Sequence, residues 1–172
     1  LAEELGLDAS QKEAALRAAH LAKSDLVTEM VMDFTSLQGI MGRHYTLLGG
    51  ENEAVAAALE EQYRNDAASN VGTVLGLADR LDSLVGLFAI GKAPKSSADP
   101  FALRRAAIGV VELLLHHSLR LNLRDSITVV SAVQPVAVTP EAQTEVLDFI
   151  RRRLEQILAD RGFRHDVVNA SL

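Results

Sequence analysis

Four cations lie close together in a chain that is acidic overall. Lys92 and Lys95 belong to a loop and Arg104 and Arg105 follow shortly after it, whereas the formal net charge of the 172 residues is -6 at pH 7. Ammonium and guanidinium groups bind phosphate oxygens, so this stretch is a candidate phosphate-binding surface, together with Arg43 from a glycine-containing segment. The alternative is that these are solubilising loop charges without a binding function.

Two carboxylates suggest a second use for the arginines. Asp79 and Asp82 are three residues apart in an otherwise apolar segment, so they lie on neighbouring positions of one helix face. A buried carboxylate needs a cationic partner, and adjacent helical residues point about 100° apart. We therefore expect one of Arg104 and Arg105 to pair with Asp79 or Asp82, and the other to face solvent.

Composition limits the class of protein. The chain is 48% hydrophobic and 4% aromatic, which predicts a soluble globular protein with either one well-filled aliphatic core or one compact unit plus a small appendage. The absence of cysteine excludes disulfides and thiolate metal sites. Acidic balance argues against a general nucleic-acid coat, and we expect neither a DNA partner nor a membrane-spanning segment. Because the sequence lacks an initiator methionine, we expect it to be part of a longer protein.

Helix signals run through almost the whole chain, without a convincing strand, and predict an all-α fold. A capping-box pattern at Ser10 begins a helix that we expect to reach about Asp33. The segment 71–91 is apolar on most sides and is predicted to be the central, most buried helix. Asp99 is predicted to cap a helix that begins at Pro100 and continues to about Leu121.

The later segments also favour helices. "SITVVSAVQP" predicts a short helix or irregular segment, Thr139 with Pro140 marks a clear helix start, and "HDVVNASL" resembles the opening of another helix. Gly39 and Gly42, in "GIMG", leave one face of their segment without side chains, so another backbone can approach it closely. Close helix packing explains these glycines better than a phosphate-binding loop.

Three motifs together resemble a known family. They are "AAHLAKSDLVTEMVMDFTSLQGIMGRHYTLLGGE", "LGLADRLDSLVGLFAIG" and "DPFALRRAAIGVVELLL". In this order they resemble the central part of the β subunit of bacterial heterotetrameric glycyl-tRNA synthetases, from about Ala18 to Leu115. One departure is the connection between Arg64 and Asn70, which is shorter than is usual in that family and puts any contact made by that loop in doubt.

The resemblance implies an architecture and a role. It implies a helical domain like those of the HD superfamily over residues 1–124, with additional C-terminal helices over 125–172 as an extension toward the rest of the subunit. It also implies a cytoplasmic protein that supports binding of tRNA(Gly) and assembly with the α subunit. That subunit carries the site for ATP and glycine, so ATP is used by the whole enzyme, and this part holds no cofactor and is not itself catalytic.

The HD resemblance also raises an enzymatic alternative, a metal-dependent phosphohydrolase. Active members bind metal through histidine and aspartate, and here Asp25 and Asp79 resemble the two aspartates while Ser24 stands where the histidine is expected. His20 is five residues before Asp25, a spacing that points the two side chains apart on a helix. The set of metal ligands is therefore degenerate. The third alternative for the function is a purely structural helical interaction module.

Two other groups have ordinary structural explanations. His116 and His117 are adjacent, so we expect one exposed and one half-buried side chain rather than a shared metal. The arginines at 151–153, 161 and 164 form either a basic edge for RNA or a solvated face neutralised by nearby carboxylates.

Overall fold

The computed structural model describes residues 1–171 and is helical throughout its regular structure. Those residues form nine α-helices and no β-strand, so the predicted all-α fold is confirmed. The helices are α1 (Ala9–Leu21), α2 (Glu29–Asp33), α3 (Ile40–Leu48), α4 (Glu53–Glu61), α5 (Asn70–Ala89), α6 (Leu103–His116), α7 (Leu123–Val133), α8 (Pro140–Asp160) and α9 (His165–Ser171). Short 3-10 turns cover Ser24–Val27 and Thr35–Leu37. Within the described part, none of these helices is long and apolar enough to cross a lipid bilayer.

Backbone contacts divide the chain into two compact units. The first unit is Leu1–Asp79 with His116–Leu121, and the second is Arg80–Leu115 with Asn122–Leu172. The division falls inside α5, away from the boundary predicted between residues 124 and 125. That boundary and the HD-like architecture remain predictions.

Small side chains allow the helices of the first unit to pack closely. Ala14 and Ala18 of α1 are buried with Val55, Ala58 and Leu59 of α4, and α1 and α4 are in contact. Valine and leucine side chains from the start of α5 join the same cluster. Since alanine loses no side-chain entropy on burial, these helices approach each other at low conformational cost.

The core of the second unit is aliphatic, with one aromatic contact. Leu81 and Leu84 of α5 are fully buried, as are side chains from α6, α7 and α8. Phe88 of α5 meets Phe149 of α8 with ring centroids 5.2 Å apart. Segment 71–91 is therefore as buried as its sequence predicted. The helices at "SITVVSAVQP" and Thr139 are also confirmed, and the Thr139 side chain caps α8.

Four predicted helix boundaries were wrong. The capping box of α1 is formed by Asp8 and Gln11 rather than beginning at Ser10. Helix α1 ends at Leu21 rather than near Asp33, because Lys23 adopts a left-handed conformation with φ 63° and a 3-10 turn follows. Helix α6 begins at Leu103 rather than Pro100, because Ala102 has φ 55°, and Phe101 stays exposed. The same helix stops at His116, before Leu121. Left-handed backbone at residues other than glycine or asparagine has little signal in sequence.

Burial at the centre of α5 predicts a large effect of truncation there. Leu81→Ala should lower the free energy of unfolding by roughly 2–5 kcal/mol, because the side chain is fully buried and its removal leaves a cavity. Leu16→Ala on α1 is the matched control, since its side chain is 67% exposed and its loss should cost under about 1 kcal/mol. Urea denaturation of both variants measures the difference, and equal stability would show that the core lies elsewhere.

Candidate functional site

The loop that carries the two lysines is fixed at its C-terminal end by an aspartate. The Asp99 carboxylate accepts hydrogen bonds from the backbone N–H of Leu103 at 2.8 Å and of Arg104 at 2.9 Å. These are two of the donors that the first turn of α6 leaves without helical partners. Asp99 therefore caps α6, as predicted, although the helix starts later than expected.

Arg104 ties the same loop to the helix. Its guanidinium donates hydrogen bonds to the carbonyl oxygens of Ser96 and Ser97, the second at 3.4 Å. The loop is closed further by the N–H of Ala98, which donates to the carbonyl of Lys95 at 3.0 Å. A charged donor on neutral carbonyls stabilises the turn while keeping the positive charge in place.

The remaining cations of this stretch face solvent. Lys92, Lys95 and Arg105 are exposed, and none of them takes part in an ion pair within residues 1–171. The outward direction of Arg105 agrees with the expectation that one arginine of the pair faces solvent. We call Lys92, Lys95, Arg104 and Arg105 the basic loop.

The predicted ion pair between these arginines and the α5 aspartates is wrong. In the first unit the Asp79 carboxylate pairs with the ammonium group of Lys23. In the second unit Asp82 accepts a hydrogen bond from the Gln134 side chain at 2.7 Å. Arg104 uses loop carbonyls a few residues away, which cost little chain entropy to reach, and Arg105 points outward.

Arg43 differs from the exposed cations of the basic loop because its guanidinium has carboxylate partners. It belongs to the first unit and is half-buried, with its guanidinium paired to Glu53 and, at 3.2 Å, to Glu60. The hydrogen bond that it donates to Glu60 and the nearby charge of Glu53 raise its pKa. Because two carboxylates already match its charge, Arg43 is the weakest of the predicted phosphate-binding residues.

Asp25, which in sequence resembles a metal-binding aspartate, is a buried carboxylate in the first unit. Asp25 is only 3% exposed, and its two oxygens accept hydrogen bonds from the Gly39 N–H at 2.7 Å and from the Tyr63 hydroxyl at 3.1 Å. Gly42 lies against it so closely that an added Cβ would meet the carboxyl carbon at 3.3 Å. Close packing around Gly39 and Gly42 is therefore confirmed, and a carboxylate is part of what they pack against.

Burial of this cluster changes the acidity of its tyrosine. Desolvation is the main reason that the pKa of Tyr63 rises to about 12, and the negative charge of Asp25 adds to it. A hydrogen bond from Gln38 acts in the opposite direction. Tyr63 thus stays a neutral hydroxyl donor toward Asp25 over the physiological pH range.

The surroundings of the two HD-like aspartates favour a structural role. Both oxygens of Asp25 have hydrogen-bond donors, and Asp79 is paired with Lys23. His20 is exposed on α1, and residues 1–171 contain no group of three or more histidine or carboxylate side chains that could hold a metal. The phosphohydrolase alternative is not favoured by this arrangement.

The histidine pair behaves as predicted, and His117 contacts the connection between Arg64 and Asn70. His116 is exposed and His117 is half-buried, with its Nε2 at 2.7 Å from the Ala67 carbonyl and 3.1 Å from the Thr73 hydroxyl. The Glu61 carboxylate binds the N–H and hydroxyl of Ser69. The loop that is predicted to be short in this chain is therefore anchored at both Ala67 and Ser69.

The C-terminal arginines have local partners. Arg151 pairs with Glu155 one turn along α8, Arg164 pairs with Asp166, and Arg153 lies over the Phe149 ring. These contacts match a solvated and partly neutralised helix face rather than a continuous basic edge.

Several contributing residues escaped the sequence prediction. Tyr63 and Gln134 act through contacts with residues 38 and 52 positions away, and no local spacing signals such a contact. Arg80, which lies between Asp79 and Asp82 in the sequence, is only 8% exposed. The sequence did contain a signal for Arg80, because it is a charged residue at a position of an apolar helix that is predicted to be buried.

The shifted tyrosine predicts a pH dependence of stability. Its folded pKa of about 12 lies above the ordinary value of 10.0, so the folded state binds the proton more tightly than the unfolded state. The resulting stabilisation is complete below pH 10 and is lost as the pH rises from 10 to 12. Tyr63→Phe should remove this part of the alkaline decline, measured by urea unfolding across that range.

The chain provides its own control for this prediction. Its other tyrosine, Tyr45, is 38% exposed, so Tyr45→Phe should keep the wild-type pH profile. At pH 7, Tyr63→Phe should also cost about 1–3 kcal/mol, because it removes a donor from a buried carboxylate. Identical alkaline profiles for wild type and Tyr63→Phe would contradict the assignment.

Sequence comparisons place the whole chain in one family. The family model described as glycyl-tRNA synthetase beta subunit matches residues 1–172. The glycine–tRNA ligase β subunit of Shewanella baltica strain OS155 is 46% identical over 179 residues, covering 100% of this chain and 26% of the relative. That of Shewanella sediminis is 47% identical over 173 residues, covering 96% of this chain and 25% of the relative. The chain spans about a quarter of the length of these relatives, and it belongs to the family of glycyl-tRNA synthetase β subunits.

Proposed function

We propose that this chain is the part of a glycine–tRNA ligase β subunit that supports tRNA binding, acting with an α subunit in the ATP-dependent attachment of glycine to tRNA(Gly). The observation that supports this most directly is the basic loop, whose exposed cations lack carboxylate partners in residues 1–171. The chemical step and the use of ATP belong to the whole enzyme in this proposal. The part described by this sequence contributes binding without a cofactor of its own, in the cytoplasm.

Local charge makes the basic loop a suitable phosphate-binding surface. Residues 92–105 contain four cations and one carboxylate, although the whole chain has a net charge of -6. That carboxylate, Asp99, already accepts two backbone N–H groups at the start of α6. The positive charge of Lys92, Lys95 and Arg105 is therefore left for an external anion, and the phosphates of RNA are the anions that fit the family.

The acidity of the rest of the chain also has a role in this proposal. A protein with excess negative charge repels RNA except where cations are concentrated, so the complex forms only through that surface. A few phosphate contacts are enough for a supporting role, and they orient the RNA without reading its sequence.

A second surface supports the assembly part of the proposal. Exposed large apolar side chains are concentrated between residues 26 and 48 of the first unit, where α2 contacts both 3-10 turns and α3 contacts the turn Ser24–Val27. Val27, Phe34 and Leu48 are 79%, 59% and 72% exposed. Apolar side chains gathered in this way are typical of a protein interface, and the α subunit or the remainder of the β subunit is the proposed partner.

The tRNA-binding role is tested by removing the two loop lysines in the intact ligase. Lys92→Ala with Lys95→Ala should weaken binding of tRNA(Gly). The double change should also reduce the slope of log K against log salt by about one to two, because each phosphate contact contributes close to one unit. Filter binding at several salt concentrations measures both quantities.

A charge-preserving variant separates phosphate binding from loop structure. Lys92→Arg with Lys95→Arg should keep the wild-type slope, and Lys12→Ala, which removes a lysine paired with Glu3 at 3.8 Å, should do so as well. If the double alanine variant retains both its affinity and its slope, the loop is not part of the tRNA-binding surface.

A further inference from the structure

A cavity lies between the basic loop and helix α8 in the second unit. Its volume is about 290 Å³, and it is partly open to solvent. Phe88, Ala93, Pro94 and Phe149 supply its apolar lining, and its charged side chains are Glu145, Asp148 and Arg152. The volume is enough for one small planar group and too small for a folded peptide segment.

The apolar lining favours a flat ligand. The Phe88 and Phe149 rings are tilted by 60° with centroids 5.2 Å apart, and Pro94 lines the cavity from the loop. The Arg153 guanidinium lies over the Phe149 ring, 5.4 Å from its centroid, and this cation–π contact favours the observed position of the ring. Aromatic side chains are the usual platform for unstacked nucleobases.

The carboxylates of the cavity are available to accept hydrogen bonds from a ligand. Glu145 and Asp148 are exposed on α8, and neither has a hydrogen bond or ion pair with another described residue. Ionised carboxylates only accept hydrogen bonds. Cytosine, adenine and guanine carry an exocyclic amine that donates to carboxylates, whereas uracil carries none.

Charge around the cavity separates two possible ligands. A lysine or arginine side chain of a protein would also fit two carboxylates and an aromatic wall. However, the loop residues that line the cavity, Ala93 and Pro94, are flanked by Lys92 and Lys95, and Arg152 lies at the same site. These cations repel a basic peptide and attract the phosphate attached to a nucleobase.

We propose that this cavity binds one unstacked base with an exocyclic amine, while the basic loop holds the neighbouring phosphates of the same RNA strand. The proposal rests on the tRNA-binding function proposed above and adds a base preference to it. Pro94 and Phe149 contact the base, the buried Phe88 ring packs against Phe149, and Glu145 with Asp148 accept hydrogen bonds from the base's amine.

Short single-stranded RNAs test the base preference in the intact ligase. Fluorescence anisotropy with labelled hexamers of cytidine, adenosine and uridine should show that the first two bind about fivefold more tightly than the third. Phe149→Leu keeps an apolar side chain and should weaken the cytidine hexamer about tenfold. Glu145→Gln with Asp148→Asn should reduce the preference to near one, even though removal of negative charge strengthens binding of every hexamer.

Helix α8 supplies a matched control. Asp160→Asn changes an exposed carboxylate about 18 Å further along the same helix and should leave the preference unchanged. Equal affinities for the three hexamers in the wild type would overturn the proposal. So would a hexaarginine peptide that binds the wild type and loses affinity in the Glu145→Gln, Asp148→Asn variant, because the ligand would then be a protein cation.

The lysine variant distinguishes this proposal from the function on which it rests. If Lys92→Ala with Lys95→Ala weakens all three hexamers equally and keeps the preference, both proposals are supported. An unchanged affinity with the preference intact would overturn the phosphate-binding role alone. Weakened binding without any base preference in the wild type would overturn the cavity assignment alone.

Discussion

The Asp25 carboxylate is the interaction on which the first unit depends. It receives the N–H of Gly39 just before α3 and the hydroxyl of Tyr63 just after α4, so one buried charge joins three stretches of chain. A buried carboxylate without donors would cost several kcal/mol, so Gly39 must come close enough to donate its N–H, and it does so with φ +80°. An alanine there would bring a Cβ to 2.9 Å from the Tyr63 ring. The glycines of "GIMG" are thus explained by the carboxylate they surround.

Charged side chains also satisfy backbone groups in the second unit. Asp99 satisfies the first donors of α6, and Arg104 satisfies the carbonyls of the loop that precedes it. Asp99 and Arg104 each form hydrogen bonds with backbone groups a few residues away. The side chains of Lys92, Lys95 and Arg105 remain exposed to solvent. The positive surface therefore follows from local folding, without any need for long-range ion pairs.

Sequence patterns predicted the features set by local chemistry. The Asp99 and Thr139 caps, the buried α5 and the exposure of one histidine of the adjacent pair depend on residues a few positions apart, so spacing was sufficient. The prediction was wrong for Asp79 and Asp82, because their partners Lys23 and Gln134 lie 56 and 52 positions away along the chain. The early end of α1 was missed for another reason. Its cause is the left-handed Lys23 backbone, and the side chain of this residue pairs with Asp79.

This pairing links backbone strain to electrostatics. A left-handed lysine costs about 1 kcal/mol or more, and such a conformation persists when surrounding contacts fix it. Here the ammonium group reaches Asp79 on α5 while the next turn places Asp25 in its buried site. The two aspartates that resemble metal ligands are therefore occupied by a cation, an amide and a hydroxyl of the protein itself. Both carboxylates therefore serve to fix the backbone and helices of the first unit.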